Sequence, residues 1–222
     1  PEVAFIVGDC KAPVLFVGPE FITQVRNIKP QLPDVRTIIT TEGGAPEWQD
    51  FISWRDAQSG DDPKVPIDRK DIPIQLYTSG TTGRAKGCII TNYSVLENGR
   101  AYAAHGGLLS VPEGEIRLLN PLPLYHTNCL CSALTMVILT CNCLILPERF
   151  SPTRWWPDVK ATRTNAVHYL GVVPPLLMNQ PKTAEETGHG IRFGFGAGVD
   201  PELHAPFEQA LAMVKRGEIR DG

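Results

Sequence analysis

Short apolar runs alternate with amphipathic stretches along the whole 222-residue chain. Such runs are typical of buried strands, and the stretches between them have the spacing of helices. We predict strands at 14–17, 35–40, 72–77, 88–91, 116–120, 143–146, 166–170 and 191–195. We predict helices at about 20–28, 46–57, 92–105, 128–140, 152–162, 173–179 and 200–213. This alternation favours an α/β fold of mostly parallel β-sheets flanked by helices.

Residues 43–71 interrupt the alternation with a polar segment rich in glycine, proline and charged side chains. That composition is typical of a surface loop. A chain of this length can bury one substantial core, so we predict a single domain with a surface excursion. We also predict two helix N-caps, Asn92 and, ahead of Pro201, Asp200.

The composition is that of an ordinary globular protein, with 42 % hydrophobic residues, 20 % charged residues and a formal net charge of −3. No basic excess is present, so we expect no nucleic-acid partner.

Residues 127–147 carry no charge, and the stretch is long enough to raise the question of a membrane-spanning helix. Polar residues interrupt it, among them Asn128, Thr140 and Asn142. We therefore favour a buried helix followed by a buried strand, with no transmembrane segment.

The chain contains six cysteines, including two C-x-C pairs, Cys129 with Cys131 and Cys141 with Cys143. Zinc sites usually separate paired cysteines by about two to four residues, whereas these pairs are closer and lie in apolar surroundings. We favour buried, reduced cysteines over the alternatives of a disulfide or a metal site. Reduced cysteines are typical of the cytoplasm, which is the predicted location.

Residues 77–87 read Tyr-Thr-Ser-Gly-Thr-Thr-Gly-Arg-Ala-Lys-Gly and follow a predicted strand. Glycines let successive backbone N–H groups point at one anion, hydroxyls add donors, and Lys86 and Arg84 supply positive charge. These features are typical of a polyphosphate site. The P-loop pattern G-x-x-x-x-G-K-S/T is excluded, because Gly80 and Gly83 are only three positions apart and a glycine follows Lys86.

The same segment closely resembles the phosphate-binding signature of the adenylate-forming superfamily, which includes acyl-CoA synthetases, aryl-CoA ligases, luciferases and peptide-synthetase adenylation domains. The family usually has proline where this chain has Ala85. The resemblance implies a fold that is part of the large N-terminal domain of such an enzyme. It implies that ATP contacts Thr78, Ser79, Gly80, Thr81, Thr82, Gly83 and Lys86. No metal site is predicted beyond Thr82 as a candidate contact to Mg²⁺.

His126 follows a predicted strand and precedes the charge-free helix. Residues 120–126 resemble the family's second motif, Pro-Leu-Phe/Tyr-His. The resemblance implies that His126 lies between the acyl pocket and the nucleotide, where it contacts the acid substrate, and that His126 and Lys86 are the catalytic residues. By spacing alone, a structural histidine remains the alternative.

Gly196, Ala197 and Gly198 form a glycine turn after the last predicted strand. The turn resembles the family's Gly-Gly-Ala-Pro-Leu segment, which implies that its backbone lies against adenine, although Gly198 replaces the usual proline. A simple strand-to-helix turn is the alternative.

Val173 and Leu177 belong to a segment that resembles the family's Val-Pro-x-x-Leu turn. The resemblance implies that both line the acyl channel, although both also suit a core. We predict that His168, in the strand before them, is structural.

The resemblance covers almost the entire chain, but the family's next motifs are absent from it. These are a Tyr-Gly-x-Thr-Glu motif, the ribose-binding aspartate and the C-terminal domain with its catalytic lysine. Residues 210–222 match no family motif. We therefore predict that residues 1–222 are a partial AMP-binding domain whose partner is the remainder of the parent domain.

For the parent enzyme the resemblance implies a ligase reaction that uses ATP, Mg²⁺ and coenzyme A. A small-molecule carboxylic acid, acyl or aryl, becomes an acyl-adenylate with release of pyrophosphate and is then transferred to CoA, as in fatty acid metabolism. The alternative is a non-catalytic nucleotide-binding or interaction module derived from the same family.

Overall fold

The computed structural model describes residues 2–79, 83–107, 109–186 and 188–210. The chain forms two compact units, Pro1–Ile90 and Thr91–Gly222. Each unit has its own strands and its own apolar clusters.

The first unit contains a three-stranded parallel sheet with the order β1-β2-β3. Its elements are α1 (Glu2–Asp9), β1 (Val14–Val17), α2 (Ile22–Ile28), β2 (Thr37–Thr40), β3 (Gln49–Asp50) and α3 (Phe51–Asp56), with 3-10 turns at Pro19–Phe21 and Lys29–Gln31. One face of the sheet packs on α1 and α2 through buried side chains that include Val7, Val17, Val25 and Ile38.

The first unit ends in a two-stranded antiparallel hairpin, β4 (Ile74–Ser79) and β5 (Ala85–Ile90). Both strands were expected from sequence, with bounds that differ by a few residues. Because the fold was predicted to be mostly parallel, the strand before the glycine-rich segment was expected to have parallel neighbours, whereas β4 pairs antiparallel with β5. The physical reason is length, because a connection of a few residues joins only antiparallel neighbours, whereas parallel strands need a crossover of about a dozen residues or more.

The second unit contains a four-stranded parallel sheet with the order β7-β6-β8-β9. Its elements are α4 (Asn92–Ala103), β6 (Arg117–Leu119), a π-helical segment (Asn128–Leu134), α5 (Thr135–Leu139), β7 (Cys143–Ile145), α6 (Trp155–Ala161), β8 (Ala166–Leu170), α7 (Val173–Met178), a 3-10 turn (Ala184–Glu186), β9 (Phe193–Ala197) and α8 (Pro201–Ala210).

Helices cover both faces of this sheet, as the alternation of apolar runs and amphipathic stretches in the sequence predicted. Neighbouring residues of β6 point to opposite sides, so Leu118 packs with Met136 of α5 and Leu119 packs with Trp155 of α6. Val173 of α7 and Phe207 of α8 belong to the same apolar cluster as Leu119 and Trp155. The predicted fold class, mostly parallel β-sheets flanked by helices, is confirmed.

The two predicted helix starts have different outcomes. Asp200 is confirmed, since its Oδ1 accepts a hydrogen bond from the Glu202 N–H at 3.0 Å. Asn92 is instead the first residue of α4, and Thr91 is the N-cap, with its Oγ1 accepting from the Ser94 N–H at 3.2 Å.

The charge-free stretch forms a helix and a strand, as predicted, but neither is fully buried. Ile138 is 66 % exposed, and β7 is half-buried because it lies at the edge of the sheet. Within the described ranges, none of the helices combines the length and the apolar character that a membrane span requires.

The six cysteines are free thiols, but they differ in burial. Cys129 and Cys131 are buried as predicted, and burial raises the pKa of the Cys129 thiol to about 11. Cys88 and Cys141 are exposed, which the prediction of burial missed.

Candidate functional site

The β4–β5 hairpin places two of the predicted phosphate-binding side chains on one face. Thr78 and Lys86 are directly opposite each other in the antiparallel register, so their side chains project from the same side of the hairpin. Both residues are exposed. A hydroxyl donor beside an ammonium group can hold a phosphate oxygen while both remain accessible to a ligand.

The opposite face of the hairpin is attached to α1 through Tyr77. Its hydroxyl donates to Asp9 Oδ2 at 2.6 Å and accepts from Gln75 Nε2 at 2.9 Å. The hydrogen bond to Asp9, with burial and the Asp9 charge, raises the pKa of Tyr77 to about 12. The Tyr77 ring lies over Gly87, where a Cβ would come within 3.1 Å of the ring.

The second cation of the motif faces elsewhere. The Arg84 guanidinium lies over the Phe5 ring of α1, 5.7 Å from its centroid. Lys86 therefore supplies the positive charge beside Thr78. Gly83 has a φ of +85°, a left-handed conformation that favours glycine. The predicted contacts Gly80, Thr81 and Thr82 lie outside the described residues, and Ser79 is described only as the last residue of β4.

In the second unit, three parallel strands end at the same edge of the sheet. The segment with His126 follows β6, Val173 begins the helix after β8, and Gly196, Ala197 and Gly198 lie at the end of β9. Ligands of open parallel sheets bind beyond this carboxyl edge. The structure thus brings the predicted acid-binding and adenine-binding segments to one edge of one sheet.

His126 is exposed and held by short local bonds. Its N–H donates to the Pro123 carbonyl at 2.9 Å, and its carbonyl accepts from the Leu130 N–H at 3.0 Å. Its Nδ1 accepts from the Asn128 N–H at 3.2 Å. The neutral imidazole therefore carries its proton on Nε2, which makes Nε2 a donor for an oxygen of a ligand.

Sequence reasoning missed a hydrogen-bonded pair, which consists of the half-buried Asn128 and the buried His168. Asn128 begins the π-helical segment, and its Nδ2 lies 2.6 Å from Nε2 of His168 on β8. Burial, followed by the charge of His126, lowers the pKa of His168 to about 4. The signal in the sequence was a polar amide two residues after His126, at the start of an otherwise apolar helix.

The turn at the end of β9 approaches neighbouring backbone closely. The Gly171 N–H donates to the Ala197 carbonyl at 2.9 Å, and Gly198 has a φ of +64°. The Tyr169 ring lies against Gly196, where a Cβ would come within 2.5 Å of it. Ala197 and both glycines are exposed, so their backbone is accessible, as the adenine prediction requires.

Val173 and Leu177 are buried in an apolar cluster with Trp156 and Phe207. Core packing therefore accounts for their apolar character, and contact with an acid substrate stays a prediction. Leu177 also borders a cavity of about 340 Å³ that Trp156 and Phe207 line. A larger cavity, of about 570 Å³, lies beside β7 and α6. None of the predicted site residues that the structure describes lines it.

Within the part of the chain that the structure describes, no three His, Cys, Asp or Glu side chains are close enough together to hold a metal ion. Thr82, the candidate contact to Mg²⁺, lies outside that part. We therefore assign no step of a reaction to a metal.

Solved structures of similar fold cover nearly the whole chain. The N-terminal domain of FACL13 from Mycobacterium tuberculosis matches 97 % of this chain and 51 % of its own, with a TM-score of 0.81 and 22 % identity. The anthranilate CoA ligase AuaEII matches 96 % of this chain and 41 % of its own, with a TM-score of 0.83 and 18 % identity. The fold is that of the N-terminal domain of an adenylate-forming enzyme.

The chain belongs to the AMP-binding enzyme family, whose model matches residues 1–218. The resemblance inferred from the glycine-rich motif is therefore confirmed, and it extends over both units.

Two curated relatives illustrate the range of the family. The medium/long-chain-fatty-acid–CoA ligase FadD6 of Mycobacterium tuberculosis is 36 % identical over 149 residues, which are 67 % of this chain and 24 % of the relative. The long-chain fatty acid transport protein 6 of Mus musculus is 25 % identical over 219 residues, which are 96 % of this chain and 34 % of the relative. The chain thus spans about a quarter to a third of the length of these relatives.

Proposed function

We propose that this chain is the nucleotide-binding and acid-binding part of an ATP-dependent acyl-CoA ligase. In the first step a carboxylate oxygen attacks the α-phosphorus of ATP, the bond to the β-phosphate oxygen breaks, and pyrophosphate leaves. The product is an acyl-adenylate. In the second step the thiol of CoA attacks the acyl carbon, its proton is lost, and AMP leaves with the carboxyl oxygen.

The observation that carries the proposal is the pairing of Thr78 with Lys86 on an exposed face of the hairpin that bears the family motif. Such a pair can bind the oxygens of the pyrophosphate group and hold them while the α-phosphorus reacts. Phosphoryl transfer depends chiefly on positioning and on stabilising the negative charge of the transition state. An exposed lysine and hydroxyl, fixed on adjacent strands, suit both tasks.

His126 supplies a second group for the same reaction. Its Nε2–H is free to donate to an oxygen of the carboxylate or of the α-phosphate, where negative charge develops. The backbone of Gly196, Ala197 and Gly198 is the proposed surface for the adenine ring, since small residues allow a flat base to approach closely.

The names of the relatives support a proposal for the substrate class. FadD6 is named as a ligase of medium- and long-chain fatty acids, and other relatives are named as fatty acid transport proteins. We propose a fatty acid as the carboxylic acid. The free cysteines are consistent with action in the cytoplasm, a reducing compartment.

ATP affinity tests the nucleotide-binding part of the proposal. Lys86→Ala should weaken ATP binding about tenfold or more, because a lost charge-assisted hydrogen bond to phosphate costs about 1.5–3 kcal/mol. Lys70→Ala, which removes another exposed lysine of the same unit, is the control and should leave the affinity unchanged. Isothermal titration calorimetry measures both. Equal affinities of the two variants for ATP would refute the assignment of Lys86.

A further inference from the structure

His168 is an ionisable side chain in the interior of the second unit. It lies in the middle of β8 and is 1 % exposed. Its ring contacts Tyr102 of α4 and Phe195 of β9, with centroid distances of 5.6 Å and 5.8 Å. Aromatic rings fill this space, so the imidazole has a fixed plane. Packing alone, however, would be served equally well by an apolar ring.

One hydrogen bond connects this buried ring to the rest of the unit. Asn128 Nδ2 lies 2.6 Å from His168 Nε2. Among the described residues, neither His168 Nδ1 nor Asn128 Oδ1 has another hydrogen-bond partner. The bond between the two side chains is therefore what orients the Asn128 amide. The connection is the same if the amide is turned over, with the imidazole N–H donating to the amide oxygen.

Asn128 passes this orientation on to His126 through its backbone. The Asn128 N–H donates to His126 Nδ1, and a backbone N–H is always a donor. Asn128 is the first residue of the π-helical segment, and its N–H and its side chain bind two different histidines. A single amide residue thus links a buried histidine to an exposed one.

We propose that His168 is a positioning residue, which acts through Asn128 to keep His126 in the tautomer that has its proton on Nε2. The inference rests on the proposed function in one respect: the Nε2 proton of His126 is taken to donate to the reacting carboxylate or phosphate. The lowered pKa of His168 agrees with it, since a neutral imidazole has one N–H and one lone-pair nitrogen, so Nε2 can pair with the Asn128 amide in either orientation.

The first test is spectroscopic and is independent of activity. Long-range ¹H–¹⁵N correlation spectra of the chain, with its five histidines assigned by single substitutions, report the tautomer of each imidazole. We expect wild-type His126 to have its proton on Nε2, and His168→Phe to give a mixture of both tautomers. His168→Gln, which retains an acceptor, should restore the wild-type spectrum of His126. His204→Gln, at an exposed position, is the control.

The variant Asn128→Ala provides a second route to the same result. Asn128 is only half-buried, so this variant retains the fold even if His168→Phe does not. It should give the same mixture of His126 tautomers. If His126 keeps its proton on Nε2 in Asn128→Ala and in every folded His168 variant, the proposal is refuted.

Kinetics then separate a positioning role from a structural one. In the longest natural form of the polypeptide, His168→Phe should lower kcat of acid-dependent ATP–pyrophosphate exchange about tenfold, with KM for ATP unchanged, and His168→Gln should recover most of it. A rise in KM for ATP with unchanged kcat would contradict the positioning role. Absence of exchange in the wild type would refute the proposed function instead, while the tautomer result would still decide the inference.

Discussion

Tyr77 shows how one side chain attaches the β4–β5 hairpin to a helix that is distant in sequence. Its hydroxyl binds Asp9, which lies 68 positions earlier, and it attaches the start of the glycine-rich segment to α1. The partner of Tyr77 could not be predicted from sequence, since no local pattern signals so distant a contact. Thr78 and Lys86 could be chosen as candidates, because the motif that suggests them is short and local, and their phosphate contact stays a prediction.

The Tyr77 hydrogen bond should be visible in the dependence of stability on pH. The folded state raises the pKa of Tyr77 from 10.0 to about 12, so the bond stabilises the fold fully below about pH 10 and loses this effect as the pH rises to about 12. The difference in unfolding free energy between wild type and Tyr77→Phe should therefore shrink over that range. Tyr125→Phe, at a position that is 81 % exposed, is the control. A difference that stays constant up to pH 12 would contradict the bond.

Gly171 should tolerate no side chain. A Cβ at this position would clash with the carbonyl oxygen of Gly198, which belongs to backbone and cannot rotate away. We expect Gly171→Ala to lower the free energy of unfolding by about 1–3 kcal/mol. Gly190→Ala is the matched control, because its Cβ would come no closer than 3.5 Å to other atoms. Urea denaturation of both variants measures the difference in unfolding free energy. Equal stabilities would show that the backbone at Gly171 is not in close contact with that at Gly198.

At the scale of elements, the strands were more predictable than their connections. Val14–Val17 and Ala166–Leu170 have the predicted bounds, because compact apolar runs between polar residues mark them clearly. Gln49–Asp50 is too short and too polar to give such a signal. Helix α1 was missed because its apolar residues, among them Val3 and Ile6, follow one another without a clear polar face.

The start of α4 illustrates an N-cap that sequence placed one residue too late. Both Thr91 and Asn92 are favourable N-cap residues, so the choice between them depends on backbone geometry. Thr91 has an extended ψ of 160°, and its hydroxyl reaches the Ser94 N–H. The structure therefore assigns the cap to Thr91.

Replacing Thr91 should destabilise the second unit through the loss of this cap. Thr91→Ala is expected to lower the free energy of unfolding by about 1 kcal/mol, within a range of about 0.5–2 kcal/mol. Thr91→Ser keeps the hydroxyl and should retain most of the stability. Thermal and urea unfolding of the three proteins measure the effect. A Thr91→Ser variant as unstable as Thr91→Ala would show that the methyl group, rather than the cap, is responsible.

At the scale of the whole molecule, the sequence identified the family, which the family model confirms, while the chemistry stays a proposal. The single partial domain predicted from sequence stays a prediction, and the chain forms two compact units that meet in sequence at Ile90 and Thr91. The motifs are distributed over both, with Lys86 in the first and His126 in the second. Periodicity within a single strand or helix carries no information on which strands share a sheet, so it could not reveal that division.

The central claim is that a carboxylic acid reacts with ATP at the groups described. The most direct measurement is ATP–pyrophosphate exchange in the longest natural form of this polypeptide, with a panel of fatty acids. The account predicts that label passes from pyrophosphate into ATP only when a carboxylic acid is present. It also predicts that His126→Ala slows this exchange by about 10²-fold with little change in ATP affinity. Exchange that does not depend on the acid, or no exchange with any acid while ATP still binds, would contradict the claim and favour a non-catalytic nucleotide-binding module.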